Sequence, residues 1–244
     1  MTRQVFLEQA VFGYKNGHEA LKWSFPGSSL EEPVPIQQSD RSSDLTGYLH
    51  EETRRDTWHS RGFPIDGFYV LMRTWHDLDG PRRGCVWTHA LYIPIRIIHE
   101  LGNYLYLGHL FRRPVRGDYK AYAEPLCVDW PPAKPDGIEL PLGQRLAEGG
   151  EFTALTTWDR AKPLIWAGDE TAEAFCAHAW RYHVLPEGRR DFAFHSGAAN
   201  MCWNYKTPYN IVCMAPPWHL VQGNFYHERQ YIRHPFWRRK LNPA

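Results

Sequence analysis

His18, Asp44 and His89 are the residues of this 244-residue chain best suited by type to proton transfer near neutral pH. An imidazole titrates there, and a carboxylate beside it can hold the ring and stabilise its cation. Acid–base work needs such groups within about 3 Å of each other or of one shared water. If they meet, the chain is an effector enzyme, a metal-independent hydrolase or nuclease. Tyr14, His18, Arg73, Trp75 and His89 can instead line one recognition pocket for a partner protein or ligand, which needs only a common surface. A third arrangement grips a small anion or nucleotide between Arg73 and the backbone of the Gly13 to Gly17 turn, where glycine permits positive φ. The same residues also have a purely structural reading, in which His18 holds a turn and His89 is a satisfied buried histidine.

The elements that would position these groups follow from the apolar pattern. RQVFLEQAVFGY at 3–14 reads as an opening strand, and Gly13 and Gly17 bracket a turn. The prolines of 25–36 predict an extended loop, after which Ser39 or Asp40 caps a short helix ending near Gly47. The centre is a hairpin, with strands over 68–75 and 85–93 and the polar turn DLDGPRRG between them. Alternation puts Arg73 and Trp75 on one face; of the adjacent Thr88 and His89, only one can join them. Ile97, Ile98, Leu101, Leu105 and His109 have the spacing of one helix face, with Gly102 and Gly108 interrupting it.

Pro114 to Gly150 is loop-rich and marks a boundary. Beyond it, 153–166 is a strand or helix-turn. Asp169 caps a helix whose Ala172, Phe175, Cys176, Ala179, Tyr182 and His183 form one stripe, and RRDFAFHSG and YNIVCMAPP read as strands. The expected fold is α+β, an antiparallel or mixed β-sheet core with packed helices. Residues 1–130 would form an N-terminal domain and 150–244 a smaller portion, either separate from the first or continuous with it.

Several chemistries find no support. HELGN at 99 and HERQY at 227 lack a second histidine four residues on, and Cys176, His178 and His183 point in different directions on one helix. Asp77 and Asp79 beside His76 suit a polar turn, so no metal and no cofactor is expected. Neither a phosphate-binding glycine loop nor a nucleophile elbow is present, so the chain is not expected to be an NTPase itself. Five cysteines, an odd number without close pairs, read as reduced thiols, Cys85 included. With 28 basic against 27 acidic residues, no global field draws it to nucleic acid or to a membrane. The opening residues lack the apolar run of a signal peptide, so the expected location is cytoplasmic. The aromatic share of 15% suits a recognition protein. RHPFWRRK at 233–240 sets Arg233, Trp237, Arg238 and Arg239 as a partner or anion contact, or as a solvated chain end; of the two contacts, a protein partner is favoured over nucleic acid.

GYKNGHEALKWS at 13–24, SDLTG at 43–47 and GFPIDGFYVLMRTWHDLDGPRRGCVWTHALYI at 62–93 resemble the N-terminal domain of bacterial GTPase-associated proteins of NTPase-centred conflict (antiphage) systems. The likeness is specific over 5–110 and looser over 150–215. Those proteins are usually longer, with further domains whose roles are not carried over. The resemblance implies a multi-component defence system in which such a chain is an adaptor or sensor, with a protein partner that is possibly an NTPase. It implies no reaction.

Overall fold

The computed structural model describes residues 2–26, 32–43, 58–81, 85–136, 164–167, 172–198, 210–214 and 230–233. Its strands are β1 (Arg3–Tyr14), β2 (His18–Trp23), β3 (Trp58–Ile65), β4 (Phe68–His76), β5 (Val86–Pro94), β6 (Leu126–Trp130), β7 (Leu164–Ala167), β8 (Phe194–Ala198), β9 (Ile211–Met214) and β10 (Gln230–Arg233). Two α-helices accompany them, α1 (Val34–Ser43) and α2 (Ala172–Tyr182). The strand order is β10-β7-β9-β8-β3-β4-β5-β1-β2, with β6 paired to the first half of β1. The seven strands β1 to β6 and β8 pair antiparallel, while the β8–β9, β9–β7 and β7–β10 pairings are parallel. One mixed sheet thus runs from residues before 130 into residues after 150 through the β3–β8 pairing.

Both faces of the central strands are covered, which is why VLM and ALYI read as continuous apolar runs rather than alternating ones. One face packs Tyr69, Leu71, Leu91 and Ile93 against Phe175 and Trp180 of α2 and against Ile98, Leu101 and Leu107. The other packs Val70, Met72, Ala90 and Tyr92 against Phe12 and Ile36, the latter from α1. Each fully buried ring or branched side chain contributes about 1.5–3 kcal/mol relative to exposure.

Three local expectations change. The face spaced over 97–109 is two 3₁₀ helices, Ile95–Glu100 and Tyr104–Leu110. The break falls at Gly102, and the Asn103 side chain opens the second turn by accepting from the Leu105 N–H at 3.0 Å. Asn103 also donates to the Ala177 carbonyl at 3.0 Å, and Trp180 Nε1 to Leu101 at 3.1 Å, so α2 holds the interrupted shape. Helix α1 begins at Val34, before the expected cap. Ser39 sits inside it, its hydroxyl donating to the Pro35 carbonyl at 2.7 Å. Asp40's side chain, Gly47 and Asp169 lie outside the described residues. Tyr182 is 59% exposed and Trp180 takes the core position expected of it, because α2 is buried all round from Phe175 to Trp180.

Strands β2, β3, β6 and β10 were not foreseen. In β3, Gly62 is required by packing: a Cβ there would collide with the Phe194 ring and the Tyr69 hydroxyl. The β3–β4 hairpin closes on Asp66 and Gly67, at φ 30° and 80°, the Asp-Gly chemistry of a two-residue turn.

Gly13 is governed by the same kind of closeness. A Cβ there would fall inside the Trp87 ring, which is 4% exposed and cannot retreat, whereas nothing lies within 4 Å of one at Gly17. Gly13→Ala is therefore expected to lose about 1–3 kcal/mol of unfolding free energy. Gly17→Ala should stay within about 0.5 kcal/mol of wild type. Urea melts of both variants check this, and equal midpoints would contradict the packing argument.

Candidate functional site

Register decides which candidates share a surface. Arg73 pairs with His89, Thr74 with Thr88 and Trp75 with Trp87, so His89 joins Arg73 and Trp75 while Thr88 faces the other way. The Arg73 guanidinium lies between two rings, 4.7 Å from the Trp58 centroid and 4.8 Å from that of Phe111. It donates to the Gly108 carbonyl at 3.0 Å. Burial lowers its pKa, opposed by Glu173 and Tyr104, and a guanidinium stays charged through such a shift. Trp58 is 47% exposed, whereas Trp75, across the ladder from it, is 6% exposed. The result is a tryptophan–arginine–phenylalanine stack that reaches the surface.

His89 is fully buried, and both ring nitrogens are used. Nδ1 accepts from the Arg112 backbone N–H at 3.1 Å, which puts the ring proton on Nε2, facing the Gln9 side-chain oxygen at 2.9 Å. The Gln9 amide nitrogen then donates to the Ala121 and Glu124 carbonyls at 2.9 and 2.6 Å. Burial, with Arg112 and Arg73 nearby, holds the His89 pKa down to about 3. A neutral ring with neither a lone pair nor a proton to spare ties β1, β5 and the 111–124 segment together. It does not transfer protons.

Tyr14 and His18 lie elsewhere. They pair with each other across the β1–β2 hairpin, half-buried, and His18 stacks on Phe12 at 6.5 Å, on the face opposite Arg73 and His89. The expected common pocket is therefore divided by the sheet. The expected anion grip at Gly13 to Gly17 also changes, because neither glycine adopts positive φ; among the described glycines only Gly67 and Gly117 do. Asp44, Trp237, Arg238 and Arg239 lie outside the described residues, as does the side chain of Arg233 in β10. Among the described residues no group of three histidines, cysteines or acids is arranged to hold a metal ion.

The turn at 13–18 and the β3–β4–β5 core are the stretches on which the family resemblance was read. Residues 6–111 match the family GTPase-associated protein 1, N-terminal domain type 1. The specific resemblance thus holds over nearly the whole of the stretch assigned to it, and the looser likeness beyond 150 lies outside the match. No curated protein and no solved structure matches the chain. No helix among the described residues is long and apolar enough to cross a membrane.

Within this GTPase-associated segment, and continuing onto β8, is a polar cluster that sequence reasoning missed. On the face opposite Arg73, the apolar half of β3, β4 and β5 gives way to His59, Arg61, Thr74, His76 and Thr88, with His195 of β8 beside Arg61 in register. His59 and His195 are stacked, centroids 5.5 Å apart and planes 14° from parallel. Thr74 and Thr88 share a hydroxyl hydrogen bond of 2.9 Å. The signal was present: His59 and Arg61, then Thr74 and His76, stand two apart in strands buried on both faces. It went unread because no strand had been assigned over 58–65 and β8 was not known to lie next to it.

Burial fixes a pH dependence. His59 and His89 are each held near a pKa of about 3, against about 6.5 in the unfolded chain. Between those values the unfolded state binds protons that the folded state refuses. Stability is therefore complete above about pH 6.5 and falls on acidification, by about 1.4 kcal/mol per pH unit per histidine. In His89→Leu the slope between pH 4 and 6 should shrink by about one histidine's share. The stranded Gln9 oxygen and Arg112 N–H should also cost about 1–3 kcal/mol each at pH 7. Chemical denaturation at several pH values reads both, and an unchanged slope would refute the assignment of His89 as the neutral tie.

Proposed function

We propose that this chain is a non-enzymatic recognition subunit of a bacterial GTPase-associated conflict (antiphage) system, which docks a GTPase-type protein partner. The observation that carries the reading is the Trp58–Arg73–Phe111 stack: an indole 47% exposed, backed by a cation held in place, with the exposed Arg112 next along the chain from Phe111. Tryptophan and arginine dominate the energetics of protein interfaces, and here the arginine is already ordered by two rings and the Gly108 carbonyl. Binding therefore spends little side-chain entropy on fixing it. Acid–base catalysis by His89 has no geometric support, since its ring is fully hydrogen-bonded and the sheet separates it from His18; Asp44, the expected carboxylate, lies outside the described residues.

The test is a pull-down from the native host with the tagged chain and mass spectrometry of what is retained. A GTP-binding protein should co-purify with wild type and with Lys15→Ala, which alters an exposed residue of the β1–β2 turn. Its recovery should fall at least about tenfold with Trp58→Ala, the loss expected for a central aromatic anchor. Equal recovery with Trp58→Ala would remove this surface from consideration. Turnover of phosphodiester or ester substrates by the purified chain would favour an effector enzyme instead.

A further inference from the structure

We propose that the polar end of the second sheet face, bounded by His59, Arg61, His76 and His195, binds a phosphate-class oxyanion. The site lies across the sheet from the tryptophan–arginine stack and does not depend on the partner reading.

The first reason is the cost of the cluster. His59 is 4% exposed and neither of its ring nitrogens has a hydrogen-bond partner; His76 is 6% exposed and its Nε2 has none either. Leaving such groups buried without partners is expensive, and apolar residues at the same positions would simply extend the Phe63, Met72 and Ala90 surface beside them. Groups of this kind are retained where something else supplies the missing partner.

The second reason is that the site is built. Gly197 brings β8 against His59 so closely that a Cβ would stand 2.7 Å from the His59 Cβ. The Gly197 N–H also donates to His195 Nδ1 at 3.1 Å, which puts the His195 ring proton on Nε2. The Thr74–Thr88 pair uses one hydroxyl proton internally and has a second to offer.

The third is sign. Among the described residues, the charged groups that act on these rings are Arg61, fully buried on β3, and Arg113, whose guanidinium donates to the His76 carbonyl at 2.8 Å. Asp77, next along the chain from His76, is held by Arg116 at 2.6 Å. Positive charge beside imidazole and hydroxyl donors suits a compact anion rich in acceptors. It does not suit a cation, which Arg61 would repel. His59 and His76 are kept neutral chiefly by burial, so an anion arriving beside them favours their protonation, and binding should take up protons.

The experiment is isothermal titration of the purified full chain with sodium phosphate and with sodium sulfate at pH 6 and pH 8, in two buffers of different ionisation enthalpy. GDP serves as a parallel arm to separate free phosphate from nucleotide-borne phosphate. Sulfate keeps its double charge throughout, so its heats report protons taken up by the protein. Expected are saturable binding, proton uptake with sulfate, and affinity rising toward pH 6 by up to about tenfold per pH unit for each proton gained. His59→Phe keeps a ring of similar shape and should weaken sulfate binding at least about tenfold and abolish most of the uptake. His59→Gln keeps a donor, so it should bind with intermediate affinity and with the same loss of uptake. GDP binding that competes with phosphate and shows the same dependence on His59 would assign the anion to a nucleotide. The proposal fails if wild type shows no saturable heat with either inorganic anion, if binding occurs without proton uptake, or if zinc ions bind tightly through His59.

Discussion

The central strands β4 and β5 are covered on both faces, and a polar side chain buried there has no water to turn to. It must find its partner within the fold or hold a place for one. His89 shows the first outcome in full. Its ring takes one hydrogen from the backbone of Arg112 and offers one to Gln9, and Gln9 passes the connection to the carbonyls of Ala121 and Glu124. Three segments distant in sequence, β1, β5 and 111–124, are thereby tied through one imidazole. The 111–124 segment, poor in regular structure, is held where Phe111 can cap the Arg73 guanidinium.

Arg73 shows why arginine rather than lysine belongs at such a position. A planar guanidinium can lie flat between two rings and still send an N–H along its own plane to a carbonyl; an ammonium can do only part of this. The stack is the place where the buried polar interior of the sheet reaches solvent, through Trp58. The opposite face has a different economy of charge. There Arg61 and three histidines are assembled by β3, β4 and β8, and ring nitrogens of His59 and His76 stand without partners in the described structure. On the first face the His89 ring has both nitrogens hydrogen-bonded, whereas on the second both ring nitrogens of His59 lack partners.

The part of the fold that could be read beforehand was the part governed by local spacing. The opening strand, the β4–β5 hairpin, α2, β8 and β9 all stand where apolar runs, turn residues and helical stripes put them. The misreadings have one cause. Local spacing cannot supply what approaches a residue from afar: α2 contacts around Leu101 and Asn103 break the face spaced over 97–109, and Phe194 and Tyr69 close on Gly62 in a strand that had not been assigned. Of the candidate residues, Arg73, Trp75 and His89 were grouped by alternation within one hairpin. Tyr14 and His18 were added only because their types suited a pocket, and the pleat of β1 sends them to the other side.

The amino-acid sequence by itself determined the residue types, the family likeness over the first 110 or so residues, the paired central strands, and the choice that either Thr88 or His89, but not both, shares a face with Arg73. Those properties are local or one-dimensional, set by a period of two along a strand and by the chemistry of each side chain. Tertiary structure alone decided that the one is His89, that its ring is spent on Gln9 and Arg112, and that His195 crosses more than a hundred residues to stack on His59. Register and strand order are set by which long-range pairing buries the most apolar surface while satisfying the most polar atoms, and no window of neighbouring residues contains that sum.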